Sequence, residues 1–201
     1  MIHLDQRDDV WIVTIDRPEK ANSLTQEMLT QLAEIAERAG TAKALILTGT
    51  GKVFSAGADL EQARAGLAVS PVWERLSGAL AALPCLTVAA LNGTLAGGAF
   101  GMALACDLRI AVPSAKFFYP VMKLGFLPQP SDPKRMAALI GPSRAKLILM
   151  GGQKITADQA LGFGLVDAIV EAQELMPYAH GLCADCLGAS PEHIRGIKGL
   201  I

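Results

Sequence analysis

The sequence predicts an α/β fold built on a mainly parallel sheet. Short apolar runs of strand length alternate with longer stretches whose apolar residues recur at helical spacing, the pattern of βαβ units. Residues 86–107 then read as one such join: a buried strand, a turn at Asn92-Gly93, a glycine pair at Gly97-Gly98, and an apolar helix running to Cys106. With 201 residues, 51% hydrophobic and 18% charged, the chain is one domain with a large interior, or one that also has an oligomer face to cover.

In chain order, residues 1–4 and 10–15 read as two short strands joined by the turn Arg7-Asp8-Asp9. Asp16 to Lys20 is a polar loop. Thr25 caps a helix in which Met28, Leu29, Leu32, Ile35, Ala36 and Ala39 keep helical spacing, and Gly40 ends it. Residues 44–48 form a buried strand, 59–67 a loop or short helix, and 71–83 a helix closed by Pro84. After the glycine pair and its helix, 107–112 and 116–119 are strand-like. Ser131 or Asp132 can cap a helix to Ile140, with Pro133 at a tolerated first-turn position. Gly141-Pro142-Ser143 opens another helix to Met150. Thr156 caps a short helix, 162–164 turn, and 165–170 form a last strand. Residues 173–187 are helical, and Ser190-Pro191-Glu192 starts a final helix that runs into the chain end.

Composition excludes several functions. A net charge of −1 argues against a nucleic-acid or anionic-membrane surface. No apolar run is long enough to span a bilayer, and the start MIHLDQRDDV is not a signal peptide, so a cytoplasmic setting is expected. Of four cysteines, Cys85 and Cys106 lie in apolar elements as buried thiols. Cys183 and Cys186 make a lone CxxC without the second pair or histidine spacing that zinc needs; they read as two thiols on one helix face, and no metal is expected. Gly49-Thr50-Gly51-Lys52 lacks the spacing of a phosphate loop, and no GxGxxG follows the first strand, which removes nucleotide-triphosphate and dinucleotide sites.

Two stretches carry chemistry. At Gly97-Gly98 a helix start leaves N–H groups unpaired, and glycine lets backbone approach a ligand closely, so an anion or developing oxyanion can be held there. The alternative is a strand–helix packing contact. KVFSAGAD, residues 52–59, also ends in a small-residue turn with a backbone N–H on offer, at Ala58.

Together these stretches resemble the crotonase (enoyl-CoA hydratase/isomerase) superfamily. RPEKANSL (17–24), LILTGTGKVFSAGADL (45–60), the NG…AGG…ACD stretch, MKLGFLP (122–128) and GQKITADQALGFGLVDAIV (152–170) match in family order over nearly the whole chain. The resemblance implies a crotonase-like (ClpP/crotonase) spiral of repeated ββα units, with a core over 1–190 and, over 191–201, the start of a truncated C-terminal helical region. Typical relatives continue further, with helices that cover the acyl pocket and build subunit contacts. It implies an acyl-CoA thioester as substrate with no separate cofactor, and a homo-oligomer, a trimer or hexamer. The N–H groups of Ala58 and Gly98 would form an oxyanion hole for the thioester carbonyl, stabilising an enolate. Ala56, Gly57, Asp59 and Gly97 would frame the substrate, Asp59 by holding its loop. Arg17 and Lys20 could pair with the coenzyme A phosphates, or line an exposed loop.

The sequence departs from the family where relatives carry two glutamates. Those positions hold Gly101 and Val121, and between Arg75 and Ser131 the only carboxylate is Asp107, in a structural place. Hydration needs a group to activate water and one to deliver a proton. Asp132 could reach the acyl pocket as base or nucleophile, or cap its helix. Tyr119 could donate a proton, or pack in a strand. Glu61 could face the pantetheine path or solvent, and Lys123 is a surface or subunit contact. The pattern disfavours conventional hydration and leaves two functions: an acyl-CoA enzyme of the hydratase/isomerase family (lyase or isomerase) whose reaction is isomerisation, decarboxylation or hydrolysis, or a non-catalytic homologue that binds acyl-CoA or supports an active relative.

Overall fold

The computed structural model describes residues 1–7 and 9–201; the Asp8 part of the first turn lies outside the described residues. Among the described residues ten strands and ten α-helices succeed one another: β1 (Ile2–Arg7), β2 (Val10–Ile15), α1 (Gln26–Arg38), β3 (Ala44–Gly49), β4 (Val53–Ser55), α2 (Leu60–Arg64), α3 (Val72–Ala81), β5 (Leu86–Leu91), β6 (Thr94–Ala96), α4 (Phe100–Ala105), β7 (Leu108–Ala111), β8 (Lys116–Phe118), α5 (Val121–Leu124), α6 (Asp132–Ile140), α7 (Pro142–Leu149), β9 (Ile155–Thr156), α8 (Ala157–Phe163), β10 (Ala168–Ile169), α9 (Leu175–Gly188) and α10 (Pro191–Lys198). They form two sheets. The larger has the order β1-β2-β3-β5-β7-β10, parallel from β2 onward; the smaller has the order β4-β6-β8-β9.

The central strands of the large sheet are apolar on both faces, as a parallel sheet covered on both sides requires. Residues 44–48 of β3 and 87–91 of β5 are all buried. Helix α1 buries Met28, Leu29, Leu32, Ala33, Ile35 and Ala36 and packs on α3 and β1, and Thr25 Oγ1 accepts the Met28 N–H at 3.2 Å at its start. Helix α9 packs against β3, β5 and β7.

After each of β3, β5 and β7 the chain turns and lays down a short strand in the small sheet before its next helix. This is the ββα repetition that the family resemblance implies. Two asparagines hold the corners: Asn22 Nδ2 donates to Thr50 O at 2.9 Å and Val53 O at 2.7 Å, and Asn92 Oδ1 accepts the Gly49 N–H at 3.1 Å. The sequence pattern does not separate β4 and β6 from their turns. Three residues complete no period, so their strand character comes from pairing with each other.

Other differences are local. The strand expected over 165–170 contracts to Ala168–Ile169. The glycine pair opens a 3-10 turn, Gly97–Ala99, before the α-helix begins. Asp107 accepts from Thr87 N and Oγ1 at 2.8 and 2.9 Å and from Lys198 Nζ at 2.7 Å, fastening α10 to the sheet. Cys183 and Cys186 are free thiols on α9. Among the described residues no helix is long and apolar enough to cross a membrane, and no side-chain cluster could hold a metal ion.

Candidate active site

In the small sheet β4, β6 and β8 run parallel, Ser55 beside Leu95 after a one-residue register shift in β4, and Ala96 beside Phe118. Their carboxyl ends therefore lie side by side. The segments just past these strands, residues 56–58, Gly97-Gly98 and Tyr119, meet at one edge, the usual place for a ligand in a parallel sheet.

The first turn is held from outside. Leu24 N–H donates to Gly57 O, and Asp59 N–H donates to Leu24 O, both at 2.8 Å. The Ala58 N–H between them finds no protein acceptor among the described residues. Asp59 accepts the N–H groups of Glu61 and Gln62, at 3.2 and 3.4 Å, which starts α2. Its other oxygen takes Arg17 Nη1 at 2.9 Å, and Arg17 keeps its carboxyl below the usual range. Arg17 also reaches Ser23 O at 3.0 Å, so its guanidinium spends contacts on positioning this turn, while Lys20 stays exposed.

The second turn presses on the first. Gly57 has φ +90°, and a Cβ there would lie 2.9 Å from Ala96 O and 3.4 Å from Gly98 N. Gly97 has φ +57°, with its Cβ position 3.6 Å from Gly57 Cα. Only glycine at both places lets two backbones touch in left-handed conformations. Gly98 is the second residue of the 3-10 turn, where first-turn N–H groups lack intrahelical acceptors. Like that of Ala58, its N–H finds no protein acceptor among the described residues. The Trp73 ring lies 3.3 Å from the place a Gly98 Cβ would take, and Trp73 Nε1 is fixed to Leu67 O at 2.8 Å.

Both turns open into a cavity of about 290 Å³ lined by Ala56, Ala58, Trp73, Gly97, Gly98 and Tyr119, with Val121 and Gln129 further along. Its rim is apolar: Leu60, Leu124 and Leu127 stay exposed there, and among the described residues Arg64 is the one charged lining residue. Glu61 and Lys123 face solvent. Arg64, Trp73 and Gln129 escape a reading of the sequence, because a tryptophan at helical spacing reads as core and the other two fall outside the matching motifs.

One side-chain expectation is corrected. Asp132 does not cap its helix, and it does not stand on the cavity wall. Neither Ser131 nor Asp132 makes a capping bond; Ser131 turns its hydroxyl and N–H to Glu74. The Asp132 carboxyl is fully buried. Its Oδ2 accepts the Tyr119 hydroxyl at 2.9 Å and its Oδ1 has no partner. Burial pushes Asp132 up to about 7, with Glu74 adding to the rise and Tyr119 and Arg135 opposing it. Tyr119 is both packed and placed at the site: it stacks on Phe100 at 5.5 Å, lines the cavity, and burial and then Asp132 raise its phenol.

The model of the family described as Enoyl-CoA hydratase/isomerase matches residues 5–200. YngF of Bacillus subtilis (strain 168) is 38% identical over 197 residues, which cover 93% of this chain and 75% of its own. The short-chain-enoyl-CoA hydratase of Clostridium acetobutylicum is 33% identical over 211 residues, covering 98% of this chain and 79% of its own. Among solved structures, Pseudomonas aeruginosa DspI superposes with a TM-score of 0.91 at 32% identity, over 99% of this chain and 85% of its own.

Proposed function

This chain belongs to the enoyl-CoA hydratase/isomerase family, and from that premise we propose that it binds an acyl-CoA thioester with the carbonyl oxygen between the N–H groups of Ala58 and Gly98. Charge gathers on that oxygen as a thioester enolate forms, and two preorganised donors stabilise it more than they stabilise the resting carbonyl. The observation that carries the reading is the pair of unpartnered N–H groups on touching turns at the ends of β4 and β6, facing one cavity. Removing one such donor typically raises a barrier by about 2.7–4 kcal/mol. Exposed Lys20 is the freer partner for the coenzyme A phosphates, since Arg17 is bound to Asp59. The exposed apolar rim suits a homo-oligomer that covers the cavity mouth.

A second reading has its own support. Gly101 and Val121 supply no carboxylate, so the chain could bind acyl-CoA without turning it over, or accompany an active relative.

Calorimetry with a non-reactive acyl-CoA thioester tests the shared part of both readings. Gly98→Pro removes one donor, and proline disfavours the conformation of the residue before it. Tight binding by the parent chain, weakened at least tenfold in the variant, is expected. Equal binding by both proteins would contradict the oxyanion reading.

A further inference from the structure

Gly101 leaves a space in the core, and the space is filled. A Cβ on Gly101 would stand 2.9 Å from Asp132 Oδ1 and 3.5 Å from Oδ2. A carboxyl group thus lies beside the position from which the sequence lacks one, delivered by α6 instead of α4. It is an expensive group to keep. It is fully buried, it makes one hydrogen bond, and its second oxygen has none. The charged groups that act on it are Glu74 from α3, which opposes ionisation, and Arg135 from its own helix, which favours it without bonding to it. A core that needed only to fill the space would do so with an apolar side chain.

The single hydrogen bond leads to the site. Tyr119 follows β8, whose Phe118 pairs with Ala96, so the tyrosine stands next to the Gly97-Gly98 turn. Its hydroxyl donates to Asp132, and its oxygen accepts the Gln129 N–H at 3.4 Å. Among the described residues Tyr119 is therefore the only one lining the cavity with a bond to a carboxylate that has no other partner.

We propose that Asp132 and Tyr119 form a proton shuttle for the α-carbon of the bound thioester, with Tyr119 as the group that touches substrate and Asp132 as the positioning base behind it. The proposal rests on the oxyanion reading. In the forward step the α C–H bond breaks and its proton passes to the Tyr119 oxygen, while the Tyr119 hydroxyl proton passes to Asp132 Oδ2. The C–H electron pair moves through the α-carbon to the thioester oxygen, held by Ala58 and Gly98. Tyrosine ends as it began, Asp132 becomes neutral, and the thioester becomes an enolate. The reverse step returns a proton to the same carbon. The balance needs no oxidant, reductant or second substrate.

The test uses butyryl-CoA in deuterium oxide, following deuterium uptake at the α-carbon by mass spectrometry from pH 5 to 9, with binding measured in parallel by calorimetry. The parent chain is expected to bind and to exchange, with a rate that climbs through about pH 7 and levels above it. Asp132→Asn and Tyr119→Phe are expected to keep binding within about threefold while losing exchange at least a hundredfold, and Asp132→Asn also loses the pH limb. The pair Gly101→Glu with Asp132→Ala puts a carboxyl on α4 in the vacated space and is expected to restore part of the exchange, which a packing role alone would not do. Binding with no exchange above solvent background, or exchange unchanged in Asp132→Asn, would overturn the shuttle and leave the oxyanion reading standing. Failure of the parent chain to bind butyryl-CoA, or binding indifferent to Gly98→Pro, would overturn both.

Discussion

Asp132→Asn is expected to stabilise the folded chain at pH 8, and to do so by about 3 kcal/mol more than at pH 5. In the fold, burial raises this carboxyl from 3.8 to about 7. Between those values the native state holds a proton that the unfolded chain has released. Stability from this group therefore falls as pH rises through that window and stays low above it. Asparagine has the same shape and never ionises, and its amide can donate to the Tyr119 oxygen. The two units between pH 5 and 7, at about 1.4 kcal/mol each, set the expected difference. Urea unfolding of both proteins at the two pH values measures it. A gain independent of pH, or a loss at pH 8, would mean that the carboxyl is not charged at cost inside the fold.

Gly57→Ala is the second large effect. The methyl group would lie 2.9 Å from the Ala96 carbonyl oxygen, at φ +90° where L-residues are strained. The contact is with backbone, so neither side can rotate away. A cost of roughly 1–3 kcal/mol in stability is expected from the conformation alone. The functional consequence is larger, because relief comes by pushing the two donor turns apart. A displacement near 1 Å at a preorganised site can cost about a hundredfold in rate. Denaturation and butyryl-CoA calorimetry together check it. Wild-type stability with wild-type binding would show that the turns do not meet as described. Gly66→Ala is a fitting control: it also has positive φ, at +109°, but nothing lies within 4 Å of its Cβ position.

The contrast between these two residues shows what the sequence could reveal. Gly57, Gly97, Ala58 and Gly98 sit in short motifs that match the family in order, so the two small-residue turns were legible in the sequence. The strands that align them were not. β4 and β6 are three residues each, and their existence depends on partners 41 and 40 positions apart in the chain, Val53 with Thr94 and Ser55 with Leu95. Asp132 shows the limit more sharply. Before Pro133 it has the local chemistry of a helix cap, and that competing local reading hid a contact made across the core to Tyr119 and to the empty Cβ place of Gly101. Arg17 stands in a matching motif, but its bond to Asp59 spans 42 residues and belongs to the tertiary fold. Leu29 was legible by helical spacing, and Leu47 and Leu91 by lying in the continuous apolar runs that burial on both faces leaves, while the layered spiral came from the family resemblance.

The central claim is that two backbone N–H groups polarise one thioester carbonyl. Isotope-edited infrared spectroscopy of butyryl-CoA labelled with carbon-13 at the thioester carbonyl reads this bond directly. Two donors on one oxygen weaken the C=O bond, so on binding the stretch is expected to move to lower frequency, and to move back toward the free value in Gly98→Pro at saturating ligand. A stretch that stays at its free-solution frequency in the saturated complex would contradict the account.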